Sequence, residues 1–234
     1  MAYSYFAFLD VMGYRYYLNN DEKNGTELFK EKLITSYRVF EQMEVGAVQH
    51  KSISDSIFMS SSNNIVQFLN AAKDVYLRFL QNGLLIRGGI AYNKHYETTH
   101  ITYSLALTEA YNLESSKSIF PRILIHKSVI QKLINESESP AESDELSQLI
   151  QKKLIIRCGE HYQLHVLDSK NWKKVYDNAK SIYLDNESHI LDDPKLLEYH
   201  SWLQNYLFHF QPSRSKKSRY IKNFELLTHP IVSS

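Results

Sequence analysis

The chain has 234 residues, 43% of them hydrophobic and 23% charged, with a formal net charge of +1. That is enough chain for one large globular domain, or one domain with an appendage, and the balanced charge supplies no global field for nucleic acid or an anionic membrane. The single cysteine, Cys158, excludes an internal disulfide and points to a reducing, cytoplasmic compartment, and no run approaches the length of a membrane span.

In chain order, Phe6 to Tyr14 (FAFLDVMGY) reads as a mostly buried strand, broken by Asp10 and closed by Gly13. Asp10 interrupts the apolar N-terminus and no basic segment precedes it, which makes the stretch a poor signal peptide. A carboxylate in that setting needs a cation or hydrogen bonds, or else it caps the following helix. Asn19 to Thr26 reads as a polar turn. A helix follows, with Leu28, Phe29, Leu33, Tyr37 and Phe40 on one stripe. Val45 to Ser52 and Ser56 to Ser61 read as a hairpin with Asp55 at its tip. Asn63 or Asn64 caps the next helix, whose stripe is Ile65, Phe68, Leu69, Ala72, Tyr76 and Phe79 and whose end is Gly83.

Leu84 to Tyr92 (LLIRGGIAY) is a further strand, and its paired glycines imply a close backbone approach or a bulge. Strand, helix, hairpin, helix, strand is the ferredoxin-like βαββαβ order, an α+β arrangement expected to carry an antiparallel sheet with helices on one face. A loop from Asn93 to Thr99 leads to a helix over Leu105 to Ser115, a short strand in Phe120 to His126 and a short helix over Lys127 to Ile134. Ser137 to Glu145 is acidic, serine-rich and linker-like, and Leu154 to Cys158 with Tyr162 to Leu167 forms a hairpin turning at Gly159-Glu160. Beyond Lys170 the pattern is helical. Pro194 opens a helix containing Leu196, Leu197, Trp202, Leu203 and Tyr206, and the basic stretch Ser213 to Lys222 reads as a solvated tail. Two domains are expected, residues 1–168 and a helical extension over 169–234.

Asp10 and Asp55, at the ends of neighbouring strands, are the acids a divalent-metal site for triphosphate chemistry needs. The turn Met12-Gly13-Tyr14 opens a helix whose amides can meet phosphate oxygens, with Gly13 letting the backbone come close; a purely steric role for the glycine is the other reading. No P-loop and no G-x-S-x-G elbow is present. His95, His100 and Glu97 match no zinc spacing and read as a polar loop, and Cys158 reads as packing.

The ordered motifs resemble those of the class III nucleotide cyclases. FLDVMGY resembles their first metal motif, KSISDSI (Lys51 to Ile57) their second, LLIRGGIAY the strand after the intervening helix, and ALTEAYNLES (Ala106 to Ser115) the helix ending in a leucine-glutamate-serine sequence. With FPRILI and WLQNY, the set is most similar to the pyrimidine cyclases of the Pycsar antiphage system. That resemblance implies a class III cyclase core with additional strands and a C-terminal helical extension, converting UTP, or else CTP, to a cyclic monophosphate and pyrophosphate. It implies two divalent cations, manganese or magnesium, on Asp10, Asp55 and the Val11 carbonyl. It implies phosphate contacts over Val11 to Tyr14 and base recognition by Lys51 with His50. It also implies a head-to-tail homodimer in which Lys51 and Asn112 face the partner's aspartates, and a separate effector switched by the product.

The positions where purine cyclases carry asparagine and arginine fall on Thr108 and Asn112, so the expected cation is missing. Arg87, Arg122 and Arg157 are the available substitutes, with Arg157 first. Ile101 to Ser104, where a base-reading acid is expected, contains none, which argues against a purine pocket. A purine cyclase and a catalytically silent nucleotide-binding module are the alternatives.

Overall fold

The computed structural model describes residues 1–43, 46, 48–62, 64–137 and 143–222. The chain divides into two compact units, Met1–Asp168 and Ser169–Ser234.

The first unit is α+β, with β1 (Ala2–Val11) at the centre of an eight-stranded sheet. After β1 come α1 (Tyr14–Asn24), α2 (Leu28–Tyr37), the hairpin β2 (Gln49–Ile53) and β3 (Ser56–Ser61), α3 (Ile65–Gln81) and β4 (Ile86–Glu97). The sheet order β2-β3-β1-β4 with antiparallel pairing throughout is the ferredoxin-like βαββαβ core. Beyond β4 the chain adds β5 (Thr102–Ser104), α4 (Leu105–Lys117), β6 (Ile123–Ile125), α5 (Lys127–Ser137), α6 (Ser143–Gln151), β7 (Ile155–Cys158) and β8 (His161–Leu164). β5 pairs with β4, while β6, β8 and β7 extend the sheet in that order, β6 running parallel to β4.

Alternation along β1 decides what covers each face. Tyr5 stacks on Phe68 of α3, whereas Phe6 and Phe8 pack with Ala106 and Ala110 of α4. Both faces of β1 are therefore covered, one by α3 and the other by α4, where helices on one face were expected. The α4 contact is possible because of the glycine pair. A Cβ on Gly89 would stand 2.3 Å from the Ala110 carbonyl oxygen, and one on Gly88 would stand 2.4 Å from that of Phe8. The pair marks a close backbone approach, not a bulge. Asn93 Nδ2 donates to Glu109 Oε1 (2.8 Å) and ties α4 to β4 a second time.

Two further differences from the sequence pattern have local causes. Asn19 to Asn24 is the end of α1, not a turn; that helix buries no residue, so its periodicity is silent, and it stops at left-handed Gly25. β4 continues through Asn93–Glu97, expected as loop, because Asn93, Lys94 and His95 pair with Ser4, Tyr3 and Ala2, and His95, Tyr96 and Glu97 pair with β5. The Asn64 side chain caps α3 by accepting from Val66 and Gln67 amides, and the expected stripe from Ile65 to Phe79 is buried. Val45, Asn63 and residues 138–142 of the linker-like stretch lie outside the described residues.

The second unit contains α7 (Trp172–Asp185), α8 (Glu187–Asp192) and α9 (Pro194–His209), with Pro194 in the first turn and Asp193 as its cap. Residues 213–222 are docked here, contrary to the solvated-tail expectation. Gln204 Oε1 accepts from the Tyr220 and Ile221 amides (2.8 Å each), Tyr176 Oη donates to the Ser218 carbonyl (2.7 Å), and Lys217 pairs with Asp177 (2.7 Å). Lys217, with Arg219 on Asn205 Oδ1 (2.6 Å), thus serves an intramolecular contact.

Candidate active site

Asp10 lies at the end of β1, directly opposite Ser56 of β3 and Arg87 of β4. Opposite residues share a face, so Asp10 and Arg87 project on the α4 side. Arg87 Nε donates to Asp10 Oδ2 at 3.2 Å and lies 2.8 Å from Glu114 Oε1 of α4. The helix-cap alternative for Asp10 does not hold, because the N-cap of α1 is Gly13 and the Asp10 carboxylate turns to Arg87.

Asp55 joins from the β2–β3 turn, where Ser54 takes a positive φ of 56°. The Asp55 carbonyl accepts from the Val11 amide at 2.9 Å, which fastens the hairpin tip to the end of β1. Burial raises the Asp10 pKa above its ordinary value; Arg87 opposes this and the charge of Asp55 adds to it. Burial also raises that of Glu114, again opposed by Arg87 and reinforced by Asp10 and Asp55. Two carboxylates thus flank one guanidinium, with the charge of a third, Asp55, acting on both, an arrangement that suits a cation.

Among the described residues, no group of three or more histidine, cysteine, aspartate or glutamate side chains could hold a metal ion as a closed cage. Two neighbouring carboxylates, Asp55 adding to the raised pKa of Asp10, fit a different kind of site, in which a hard cation takes one or two protein carboxylates and completes its shell with phosphate oxygens and water. The donor set of Asp10 and Asp55 fits magnesium or manganese in that manner.

Beside these acids the chain turns into α1. Gly13 has a φ of 75°, and a Cβ there would also lie 3.3 Å from the Tyr17 ring. The Met12 amide is used by the Leu85 carbonyl (2.9 Å), while the first intrahelical bond of α1 runs from the Tyr17 amide to Gly13. The amides at the opening of α1, that of Tyr14 included, have no acceptor within the helix and suit an anion.

The remaining sequence candidates are distributed. Thr108, Tyr111 and Asn112 share the exposed side of α4; Thr108 Oγ1 donates to Ser104 (3.0 Å), and Tyr111 meets Phe8 edge-on. Arg157 is on the far edge strand β7, exposed, with its Nε donating to the Gly159 carbonyl (3.0 Å). Arg122 lies against Phe120 and Lys117. Of the three arginines, Arg87 is the one the fold brings to Asp10. His50 and Lys51 are neighbours on β2 and so point to opposite faces; the His50 ring stacks on Phe40 at 4.1 Å, off the face that carries Lys51.

Lys51 instead meets an acid that sequence reading passed over. Its Nζ lies 3.8 Å from Glu97 Oε1, and Glu97 sits directly opposite Thr102 in the β4–β5 pair. An acid thus stands directly across the strand pair from Ile101–Ser104, where the sequence itself has none. His95 is beside it, its Nε2 3.5 Å from Glu97 Oε2. The register sets His95 opposite Ala2, yet its ring centroid is 5.2 Å from Phe6, so the β1–β4 ribbon coils and folds its end over the sheet face. A cavity of about 210 Å³ lined by Phe6, Lys51, Phe58 and Glu97 adjoins one of about 340 Å³ lined by Ser4, Ser61 and His95; Gln49, Ser60 and Glu97 border both.

Likeness to solved structures is weak. The chain is similar to a structure of a bacterial light-regulated adenylyl cyclase, with 12% identity and a TM-score of 0.47 over 77% of this chain and 98% of that one. It is similar to a second such structure with 13% identity and a TM-score of 0.37, over 56% of this chain and 44% of that one. The guanylyl cyclase Cya2 gives 13% identity and a TM-score of 0.36, over 55% and 77%. No family model and no curated protein matches the sequence. Likenesses at this level carry no statement about activity.

Proposed function

We propose that this protein is a metal-dependent nucleotide cyclase that converts a pyrimidine nucleoside triphosphate, UTP before CTP, to its 3′,5′-cyclic monophosphate and pyrophosphate. The observation that carries the reading is the meeting of Asp10 and Asp55 at the end of β1, fastened by the Val11–Asp55 backbone bond and adjoining the opening of α1.

Asp10 and Asp55 would hold two divalent cations, manganese or magnesium, with the Val11 carbonyl as a further donor. When bound, those ions supply Lewis-acid activation of the ribose 3′-hydroxyl and neutralise charge on the triphosphate. The amides opening α1 bind phosphate oxygens, and Gly13 keeps the backbone clear for them. Arg87, held between Asp10 and Glu114, contributes the cation that the Asn112 position lacks, balancing charge on the leaving pyrophosphate. Lys51 and Glu97 present a donor and an acceptor to the base.

A head-to-tail homodimer accords with the exposed apolar side chains of Tyr96, Ile101, Tyr103 and Leu105 along the β4–β5 arm and the start of α4. In that assembly Lys51 and the outward-facing Asn112 of one protomer serve the aspartates of the other. The motif resemblance is what supports a role in antiphage signalling through a separate effector. A purine cyclase is the second reading; Glu97 favours it by supplying the acid that Ile101 to Ser104 lacks.

The test is to incubate the full chain with each of the four NTPs and manganese and to assay pyrophosphate and cyclic product. The expected product is cyclic UMP, with Asp10→Ala and Asp55→Ala inactive. No product from any NTP overturns the enzyme reading in favour of a silent binding module.

A further inference from the structure

We propose that Tyr37 is a positioning residue for the divalent-cation site, its buried hydroxyl reserved for the Asp55 carboxylate. The inference rests on the metal part of the proposed function and adds to it a group from the sheet face opposite Asp10.

Packing fixes the Tyr37 ring at the end of α2. It stands edge-on to Phe79 of α3 at 5.4 Å and stacks on Phe40 at 6.1 Å. Phe40 in turn carries the His50 ring of β2 at 4.1 Å. His50 and Ser52 alternate with Lys51, so both project towards this aromatic cluster and away from the α4 side. Ile53 pairs with Ser56, which leaves Ser54 and Asp55 as the turn between the strands. Tyr37 therefore lies under the end of β2, with Asp55 just beyond it in the chain.

The hydroxyl at the tip of that ring is buried and has no hydrogen-bond partner. Such a group is costly to keep unless an acceptor reaches it in a working state of the molecule. Three groups act on it: Ser52, short of hydrogen-bond geometry, then Tyr14 at the opening of α1 and the charge of Asp55 in the turn. Burial raises the Tyr37 pKa, Ser52 opposes this, and Tyr14 and Asp55 add to it. The phenol thus keeps its proton at neutral pH and can only be satisfied as a donor by an acceptor nearby.

Asp55 has the complementary need. Its backbone is fixed, since its carbonyl accepts from the Val11 amide at 2.9 Å and Ser54 before it takes a φ of 56°. Among the described residues, no hydrogen bond or ion pair orients its carboxylate, whereas that of Asp10 has Arg87. Arg87 is already divided between Asp10 and Glu114 on the α4 side. The charge of Asp55 acts on Asp10 from that side and on Tyr37 from the other. A carboxylate that holds a cation is in turn held by a hydrogen-bond donor, and losing that donor weakens metal binding by about 10- to 100-fold. Tyr37 is the unused donor on this side of the turn.

The test is manganese binding to the full chain without nucleotide, followed by the paramagnetic resonance signal of the free ion. Tyr37→Phe, which keeps the ring on Phe40 and Phe79, should weaken binding by about 10-fold, and Asp55→Ala should abolish it. Because the hydroxyl has no partner within the protein, the urea midpoint of Tyr37→Phe should hold or rise. Ser52→Ala should bind manganese as the parent does. Parent-like binding by Tyr37→Phe or by Asp55→Ala, or equal weakening in Ser52→Ala, overturns the inference. A lowered urea midpoint in Tyr37→Phe assigns the hydroxyl to folding and overturns it too. In each of these cases cyclic product from the parent keeps the cyclase reading in place. A parent that binds no manganese removes the inference, and the assay with the four NTPs then decides the cyclase reading by itself.

Discussion

The two ends of the α4-covered sheet face hold charge in opposite ways. At one end, Asp10, Arg87 and Glu114 are largely shut away from water, with side chains 19%, 28% and 5% exposed. At the other, Lys51 is 54% exposed and its pairing with Glu97 is loose. Buried charges respond strongly to any change in partner, because desolvation and Coulomb terms are both large there. Exposed pairs are screened and contribute little to folding. The buried end is therefore where substitutions should alter chemistry and stability together, and the open end is where they should alter recognition alone.

The largest expected effect lies at the buried end. Asp10→Ala or Asp55→Ala removes a carboxylate that would carry several kcal/mol of charge stabilisation, so cyclic-product formation should fall by about 10³-fold or more. Circular dichroism should show the fold retained. Full activity in either variant would break the comparison at its base.

Stability is most exposed at the glycine pair. Gly89→Ala sets a methyl 2.3 Å from a backbone carbonyl, which neither helix nor strand can yield cheaply. Overpacking of this kind costs about 3 kcal/mol. Gly25→Ala, where a Cβ meets nothing within 4 Å and only the left-handed conformation objects, should cost about 1 kcal/mol. Urea midpoints of the two variants measure the difference, and equal losses would show that α4 can move off β4.

Glu114→Gln sharpens the contrast through pH. Its folded pKa is raised from the ordinary 4.5, chiefly by burial, so its contribution to stability is fully present below 4.5 and lost as pH rises through the folded value. Removing a buried ion-pair partner usually costs several kcal/mol by stranding a charge, but Arg87 would keep Asp10 and is partly solvated. Desolvation therefore decides the sign. The variant should unfold at higher urea than the parent at neutral pH, and the advantage should shrink as pH falls towards 4.5. Product formation should drop, because Arg87 loses one of its two anchors. A variant less stable than the parent at neutral pH would mean that the ion pair outweighs its burial.

What could be read in the sequence follows the same division. Asp10 and Asp55 stood out because a strand pattern is local: a carboxylate inside FAFLD or at a hairpin tip is visible from its neighbours. The buried stripe of α3 was legible for the same reason. Arg87 could only be named as one arginine of three, since its approach to Glu114 depends on how closely α4 packs, and the glycine pair that permits this specifies no partner. His95 and Glu97, with His100, read as a polar loop whose spacing matches no zinc site. No apolar alternation marks Asn93–Glu97, which is strand because β1 and β5 pair with it, and only coiling of that ribbon brings Glu97 to Lys51. The helix α1 is silent in the pattern because it buries nothing, and the docked segment 213–222 because only Tyr220 and Ile221 at its end pack with the core while Gln204 and Tyr176 hold its backbone.

The smallest effect on folding should come from Lys51→Met, and it isolates the open end most cleanly. An ion pair at 3.8 Å with a half-exposed lysine gains little Coulomb energy in high dielectric, and Glu97 retains its bond from Thr102. The unfolding free energy should change by less than about 1 kcal/mol. The methionine keeps most of the side-chain length over Phe58 but offers the base no donor. Nucleotide affinity should therefore fall while the urea midpoint stays in place, a separation that Asp10, Gly89 and Glu114 variants cannot show. A fall in both together would mean that Lys51 supports the coiled β1–β4 ribbon itself, and that the open end is as structural as the buried one.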